Sequence, residues 1–242
     1  MRLKDKIAVI TGAGSGMGKA MSTLFTLEGA KVICADVTGN QNAVAAALGN
    51  LAAPVHCDIA NEADVQRMID VTVEELGHID VLVNNAGLGG DTALAEMTDE
   101  QWFRVLDVTL NGTFRCTRAA LQHMLPRGSG VIVNNSSVIG WRAQAGQAHY
   151  AAAKAGVMAL TRCSAVEAAP HGVRVNAVSP SLAVHPFLNK VMADDELADL
   201  SRREVFGRGA EVWEVANVIA FLASEYATFM TGEVVSVSSQ HP

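Results

Sequence analysis

Ile7-Ala-Val-Ile10-Thr11-Gly12-Ala-Gly14-Ser-Gly16-Met-Gly18 joins a short apolar run to a glycine turn, and Lys19 then opens an amphipathic segment that continues to Glu28. A continuous β-branched run of this length suits a strand buried on both faces. Glycines let the backbone turn tightly and come close to a ligand, and a helix start offers unpaired N–H groups and a dipole that favour a pyrophosphate. Because the glycines recur at every second position, the string departs from Gly-x-Gly-x-x-Gly and by itself also fits a turn with no ligand. The strand before it, the helix after it and Asp36 at the end of the next strand favour a dinucleotide.

The same alternation continues outward along the chain. Lys31–Cys34, Val55–Cys57, Val81–Val83, Val131–Val133, Val173–Val175 and Val234–Val237 are further short strands. Between them, Glu62–Leu76, Asp99–Met124, Tyr150–Ala169 and Val212–Ser224 carry apolar residues at three and four residue spacing. Thr98-Asp-Glu-Gln101 reads as a capping box opening one of these helices. Strand and helix in alternation predict right-handed βαβ units and a parallel sheet covered on both faces, a doubly wound, Rossmann-type α/β fold. With no interior linker or low-complexity run, residues 1–242 are expected to form a single dinucleotide-binding catalytic domain. Its ligand would lie outside the carboxyl ends of the strands, where the polar and glycine-rich segments fall.

Composition narrows the partners. A net charge of −7 argues against nucleic acid or an anionic membrane, both of which select for clustered Lys and Arg. No stretch approaches the ~20 apolar residues that a membrane helix needs, and no signal peptide is visible. Cys34, Cys57, Cys116 and Cys163 form no Cys-x-x-Cys pair, so neither a disulfide framework nor a metal site is expected. A soluble protein in the reducing cytoplasm, acting on a small molecule, follows.

Two sets of residues carry chemistry. Tyr150-Ala-Ala-Ala-Lys154 places a phenol and an ammonium on one face of a helix, and a nearby cation favours the phenolate, making Tyr150 a candidate acid/base. Asp36 can accept both adenosine ribose hydroxyls and would repel a 2′-phosphate, while Ser15 and Val37 beside it bring no positive charge. NAD is expected rather than NADP.

Thr11-Gly-x-x-x-Gly16-x-Gly18, Asn84-Asn-Ala-Gly87, Ser137 and Tyr150-x-x-x-Lys154, in this order, resemble the short-chain dehydrogenase/reductases from Leu3 to about Gly232. The resemblance implies a seven-stranded parallel sheet and usually a homotetramer, its main dimer contact formed by helical segments 99–124 and 150–169. It implies cofactor contacts from Gly12, Ser15, Gly16, Met17 and Gly18, with Asp58 and Ile59 bordering the adenine and Asn85, Ala86 and Gly87 lining the ribose. It makes Tyr150 the residue that exchanges the alcohol proton and Lys154 the one that binds the nicotinamide ribose. Ser137, thirteen residues before the Tyr, would hydrogen-bond the substrate oxygen.

The chain departs from the family in two places. Where relatives carry an Asn whose main chain holds a relay water at a helix irregularity, counting five residues back from Phe114 gives Thr109; Asn111 lies roughly 200° round the helix. After the sixth strand the chain reads Pro180-Ser-Leu-Ala183-Val-His185, with His185 at the position of the family Thr. Pro180 and Ala183 are expected near the nicotinamide carboxamide; His185 could meet the pyrophosphate, the carboxamide or the substrate. Residues 181–208 would form a substrate lid, with Phe187 in the pocket. Trp141 and Gln147 are candidate substrate contacts, whereas His149 reads as packing.

The resemblance is closest to 3-oxoacyl reductase-like members that take acyl-CoA or steroid-derived ketones. Gly128 and His171 stand where carrier-protein docking would want arginines. The expected activity is hydride transfer between NAD(H) and a bulky apolar secondary alcohol or ketone. The rivals are an NADPH-dependent 3-oxoacyl reductase and a nicotinamide-binding sensor without turnover.

Overall fold

In a computed structural model, residues 1–184 and 194–239 are described. The chain runs β1 (Ile7–Thr11), α1 (Gly16–Leu27), β2 (Lys31–Asp36), α2 (Gln41–Leu48), β3 (Ala52–His56), α3 (Glu62–Leu76), β4 (Val81–Asn84), α4 (Asp99–Leu106), α5 (Gly112–Arg127) and β5 (Gly130–Asn135). It continues with α6 (Ala148–Ala168), β6 (Val173–Pro180), β7 (Ala183–Val184), α7 (Asp194–Arg203), β8 (Ala210–Glu211), α8 (Val212–Ala223) and β9 (Val234–Val237). Seven strands pair in the order β3-β2-β1-β4-β5-β6-β9, every neighbouring pair parallel. β7 and β8 form a separate two-stranded parallel ladder beside the sheet.

The period-2 geometry of a strand sends alternate side chains into two cores. Ala8, Ile10, Val32, Cys34, Val81 and Val83 pack with Met21 and Phe25 of α1 and Ile219 and Leu222 of α8. Val9, Ile33, Leu82 and Ile132 face the other way, against Met68 of α3, Cys116 and Met124 of α5 and Ala165 of α6. Burial on both faces explains why these strands read as continuous apolar runs.

Strand order reverses between β1 and β4, so a crevice opens at their carboxyl ends. Thr11 ties its two sides together: its hydroxyl accepts from the N–H groups of Asn85 (3.0 Å) and Ala86 (3.1 Å).

Three elements differ from expectation. The helix expected across Asp99–Met124 is two helices joined by a π-turn at Asp107–Asn111. α2 was not anticipated, because its Gln-Asn-Ala-Val-Ala-Ala-Ala-Leu sequence has little apolar stripe. α1 begins at Gly16 rather than Lys19, so two glycines of the motif lie in its first turn. The capping box at Thr98 is present: Gln101 N–H donates to Thr98 Oγ1, and Thr98 N–H donates to Gln101 Oε1.

Candidate active site

The glycine turn is built for close approach. Gly12 (φ +67°) and Gly16 (φ +49°) adopt the left-handed region. A Cβ on Gly18 would collide with the Gly12 carbonyl, so the helix start packs directly on the turn. Ser15 caps α1 in extended backbone without a side-chain bond, and the first turn holds no acidic residue. Its N–H groups and dipole face the crevice with no internal carboxylate to neutralise them. Asp36, at the end of β2, is 9% exposed and draws this turn to itself. Its Oδ2 accepts from Gly14 N–H (2.9 Å), and its Oδ1 accepts from Thr38 N–H (2.8 Å) and the Thr38 hydroxyl (2.7 Å). A glycine cradle, an open helix start and a carboxyl group at the neighbouring strand end fit a dinucleotide.

Met17 packs at the edge of the first core, and Asn135 Nδ2 approaches its sulfur at 3.9 Å. Asn85 Nδ2 donates to Thr11 O at 3.0 Å, which holds the Asn85–Gly87 segment over the turn. Asp58 Oδ1 accepts from Ala60 N–H at 2.9 Å, and Ile59 packs on Gly112. Both follow β3, at the same edge of the sheet as Asp36.

On the other side of the crevice, α6 starts at Ala148 and delivers Tyr150 and Lys154. Lys154 is buried beneath the cleft; its Nζ donates to Asn135 O at 2.6 Å and lies 5.5 Å from the centre of the Tyr150 ring. Ser136 is used up structurally, its hydroxyl donating to Lys154 O at 2.9 Å. Ser137 is therefore the serine that faces Tyr150, and it hydrogen-bonds the phenol.

Burial pushes the Tyr150 phenol up from its ordinary value, with the Ser137 hydrogen bond pulling the other way. The expected lowering by Lys154 is thus not met in the protein alone. Burial also pushes the Lys154 ammonium down to about 8, because desolvation disfavours its charged form.

Thr109 sits in the π-turn, fully buried. Its hydroxyl donates to Leu88 O and accepts from Leu88 N–H, both at 3.0 Å. A Cβ on Gly87 would meet Thr109 Oγ1 at 3.5 Å and Lys154 Nζ at 3.7 Å, so Thr109 and Lys154 flank one small space. The Thr109 carbonyl accepts from Thr113 Oγ1 at 2.8 Å. Asn111 points away, its amide bonded to Asp107.

Pro180 ends β6, Ala183 is buried in β7, and Trp141 is half exposed beyond Ser137. Gln147 stands at the N-cap of α6 without a side-chain cap bond. His185 and Phe187 lie outside the described residues. Sequence reasoning did not single out Asn135, whose carbonyl holds Lys154, or the hydroxyl of Thr11. The polar run Asn134-Asn-Ser-Ser137 closing a strand was the available signal.

A family profile for Enoyl-(Acyl carrier protein) reductase matches residues 12–239. The chain is 55% identical to the (5R,7aS)-5-hydroxy-7a-methyl-1-oxo-2,3,5,6,7,7a-hexahydro-1H-indene-carboxyl-CoA reductase of Mycobacterium tuberculosis, across 99% of this chain and 94% of that protein. It is 43% identical to the cis-4-hydroxycyclohexanecarboxylate dehydrogenase of Sinomonas cyclohexanicum, across 96% and 95%. The crystal structure of a short chain dehydrogenase from Mycobacterium smegmatis superposes with a TM-score of 0.88 at 50% identity, covering 100% of this chain and 95% of that one.

Fold, cleft and relatives together define a nicotinamide-dependent oxidoreductase acting on CH–OH groups. Within that class, the chain belongs to the short-chain dehydrogenase/reductase family.

Proposed function

We propose that this protein is an NAD-dependent dehydrogenase of a secondary alcohol carried on a bulky, ring-containing molecule, or of the corresponding ketone. The observation that carries the reading is the Ser137–Tyr150 hydrogen bond at the mouth of the crevice with Lys154 buried beneath it. The cofactor would rest on Gly12, Ser15, Gly16, Met17 and Gly18, with Asp36 on the adenosine ribose. Asp58, Ile59 and Asn85–Gly87 would stand along its adenosine half, and Tyr150, Lys154, Pro180 and Ala183 around its nicotinamide half. Bound there, the nicotinamide supplies a hydride acceptor and donor.

The protein's own groups do the rest. Ser137 donates to the substrate oxygen and stabilises charge as it develops. Tyr150 removes the hydroxyl proton during oxidation and returns it during reduction. Lys154 supplies the positive charge that favours the phenolate once protonated, and the buried Thr109 turn borders the space behind it. Trp141 and Gln147 would shape the substrate pocket, together with the lid expected over residues 181–208, of which 185–193 lie outside the described residues.

Two relatives support a ring-borne substrate, since each is named for a ring compound that also carries a carboxyl or carboxyl-CoA group. Asp36 supports NAD, because a 2′-phosphate would meet a carboxyl group there. A homotetramer in the cytoplasm fits the exposed Phe103, Phe114 and Val166 on α4, α5 and α6 and the four free cysteines.

Titrating the protein's fluorescence with each cofactor tests the nucleotide choice: NAD should bind at least tenfold more tightly, and equal affinity for NADP would refute the role of Asp36. Turnover with NAD is then read against cyclic alcohols, steroid alcohols and 3-hydroxyacyl-CoA esters. Tyr150→Phe should lower kcat by roughly a thousandfold or more with NAD affinity within about twofold of the parent. Retained activity in that variant would overturn the mechanism.

A further inference from the structure

Two segments rim the cleft beside Tyr150: residues 88–92 after β4, and residues 146–149 leading into α6. Each carries a glycine where the other carries a side chain. A Cβ added to Gly90 would stand 2.8 Å from His149 Nε2 and 3.4 Å from its Cε1, inside van der Waals contact. A Cβ added to Gly146, whose φ of +75° already favours glycine, would collide with Asp91 Oδ1. Thr92 N–H donates to Gly146 O at 3.0 Å between the two fits.

His149 is 2% exposed, so its ring has no open solvent to swing into. Its Nδ1 is buried without a hydrogen-bond partner, so polar bonding at that nitrogen does not account for its place. The fit to Gly90 does. Next to Gly90, on the Leu88 side, lies Gly89, where a Cβ would stand 3.8 Å and 4.0 Å from Tyr150 Cδ2 and Cε2. The loop backbone therefore borders the phenol ring with room for about one methyl group between them, and at its near end Leu88 is held by both bonds to Thr109.

We propose that His149 and Asp91 interlock these segments through Gly90 and Gly146, making His149 a positioning residue that fixes how far the Gly89 backbone stands from the Tyr150 ring and so sets the cleft width open to a ring-shaped substrate. The inference rests on the reading of Tyr150 as the acid/base. Glycine at 89 and 90 leaves the rim free of side chains, and the interlock keeps that bare rim in place. A gap held that narrow limits the water that reaches the phenol, whose proton affinity burial raises.

The test needs no substrate. The chain has two tyrosines, so Tyr226→Phe, at an exposed site, leaves Tyr150 as the sole source of phenolate absorbance. In that background His149→Ala should lower the Tyr150 pKa by about one unit and speed amide exchange at Leu88 and Thr92 roughly tenfold. Gly90→Ala should do the same while His149 is present. Gly90→Ala combined with His149→Ala should match His149→Ala alone, because the new methyl enters vacated space, and His149→Gln should recover most of the parent titration. Thermal melting and NAD binding by fluorescence, both near the parent's, confirm that each variant is folded. An unmoved Tyr150 titration in His149→Ala, or additive effects in the double variant, would overturn the interlock. Failure of the parent to oxidise any alcohol would instead refute the proposed function and leave the titration result standing.

Discussion

Lys154 shows how one buried group writes a pH dependence into the whole protein. Its folded pKa, about 8, lies below the 10.5 of a free lysine, so between these values the unfolded chain holds more protons than the folded one. Stability contributed by this residue therefore rises as pH climbs from 8 towards 10.5, and the full cost of burying the ammonium is felt below pH 8. The difference is on the order of 3 kcal/mol across the window. Tyr150, with a raised pKa, acts in the opposite sense above about pH 10, so the comparison belongs between pH 8 and 10. Urea unfolding of the parent and of Lys154→Met at both pH values checks it: the parent should gain stability relative to the variant as pH rises. A constant difference would mean that Lys154 titrates like a solvated lysine. Tyr150, Lys154 and Asp36 were legible because their side chains carry the chemistry. The partner of Lys154 was not, since the polar run at residues 134–137 marks a strand end but does not say which main-chain carbonyl takes the ammonium.

Among the elements, the π-turn at Asp107–Asn111 is the one that a helical period conceals. Apolar spacing continues through it from α4 to α5, so the stretch reads as one helix, and only the extra residue in the turn reveals the break. The turn lets Thr109 face inward and make two bonds to Leu88. Thr109→Val keeps the volume and removes both, leaving the part-buried N–H and C=O of the exposed Leu88 without this partner. We expect a loss of roughly 1–2 kcal/mol in urea unfolding, since water can reach Leu88 and partly replace the two bonds. An unchanged midpoint would show that Leu88 is held from elsewhere. α2 was missed for the opposite reason: an alanine-rich helix has too little contrast between its faces to announce itself.

At the scale of the molecule, the order of strands and helices followed from their alternation, and the crevice followed from the strand order. The polar contacts that pin the crevice had no such signature, because they join residues far apart in the chain. Asn84 Nδ2 donates to Thr117 Oγ1 (3.0 Å) and to Asn134 Oδ1 (2.9 Å), and Asn134 Nδ2 donates to Thr161 Oγ1 (2.9 Å). This buried chain joins α5, β4, β5 and α6 directly under the site. Replacing Thr117 and Thr161 together with Val should cost roughly 2–4 kcal/mol, read by thermal unfolding, since each change removes the acceptor of one amide N–H on a buried Asn. A cost within error of zero would show the chain to be dispensable.

One layer above, Asn135 Nδ2 donates to Asn85 Oδ1 at 3.0 Å, so Asn84-Asn85 at and just beyond the end of β4 stands beside Asn134-Asn135 at the end of β5, the inner pair joined in the ladder and the outer pair by this side-chain bond. Such a pair of labels is ambiguous: slide one strand by a single residue and an asparagine still meets an asparagine, although every other side chain changes face. The asparagines alone cannot tell the two alignments apart. The hydroxyls of Thr117 and Thr161 can, because they reach only the inner asparagines. The helices α5 and α6 thus act as a key to the strands they cover, since only one alignment offers their hydroxyls the amides they bond.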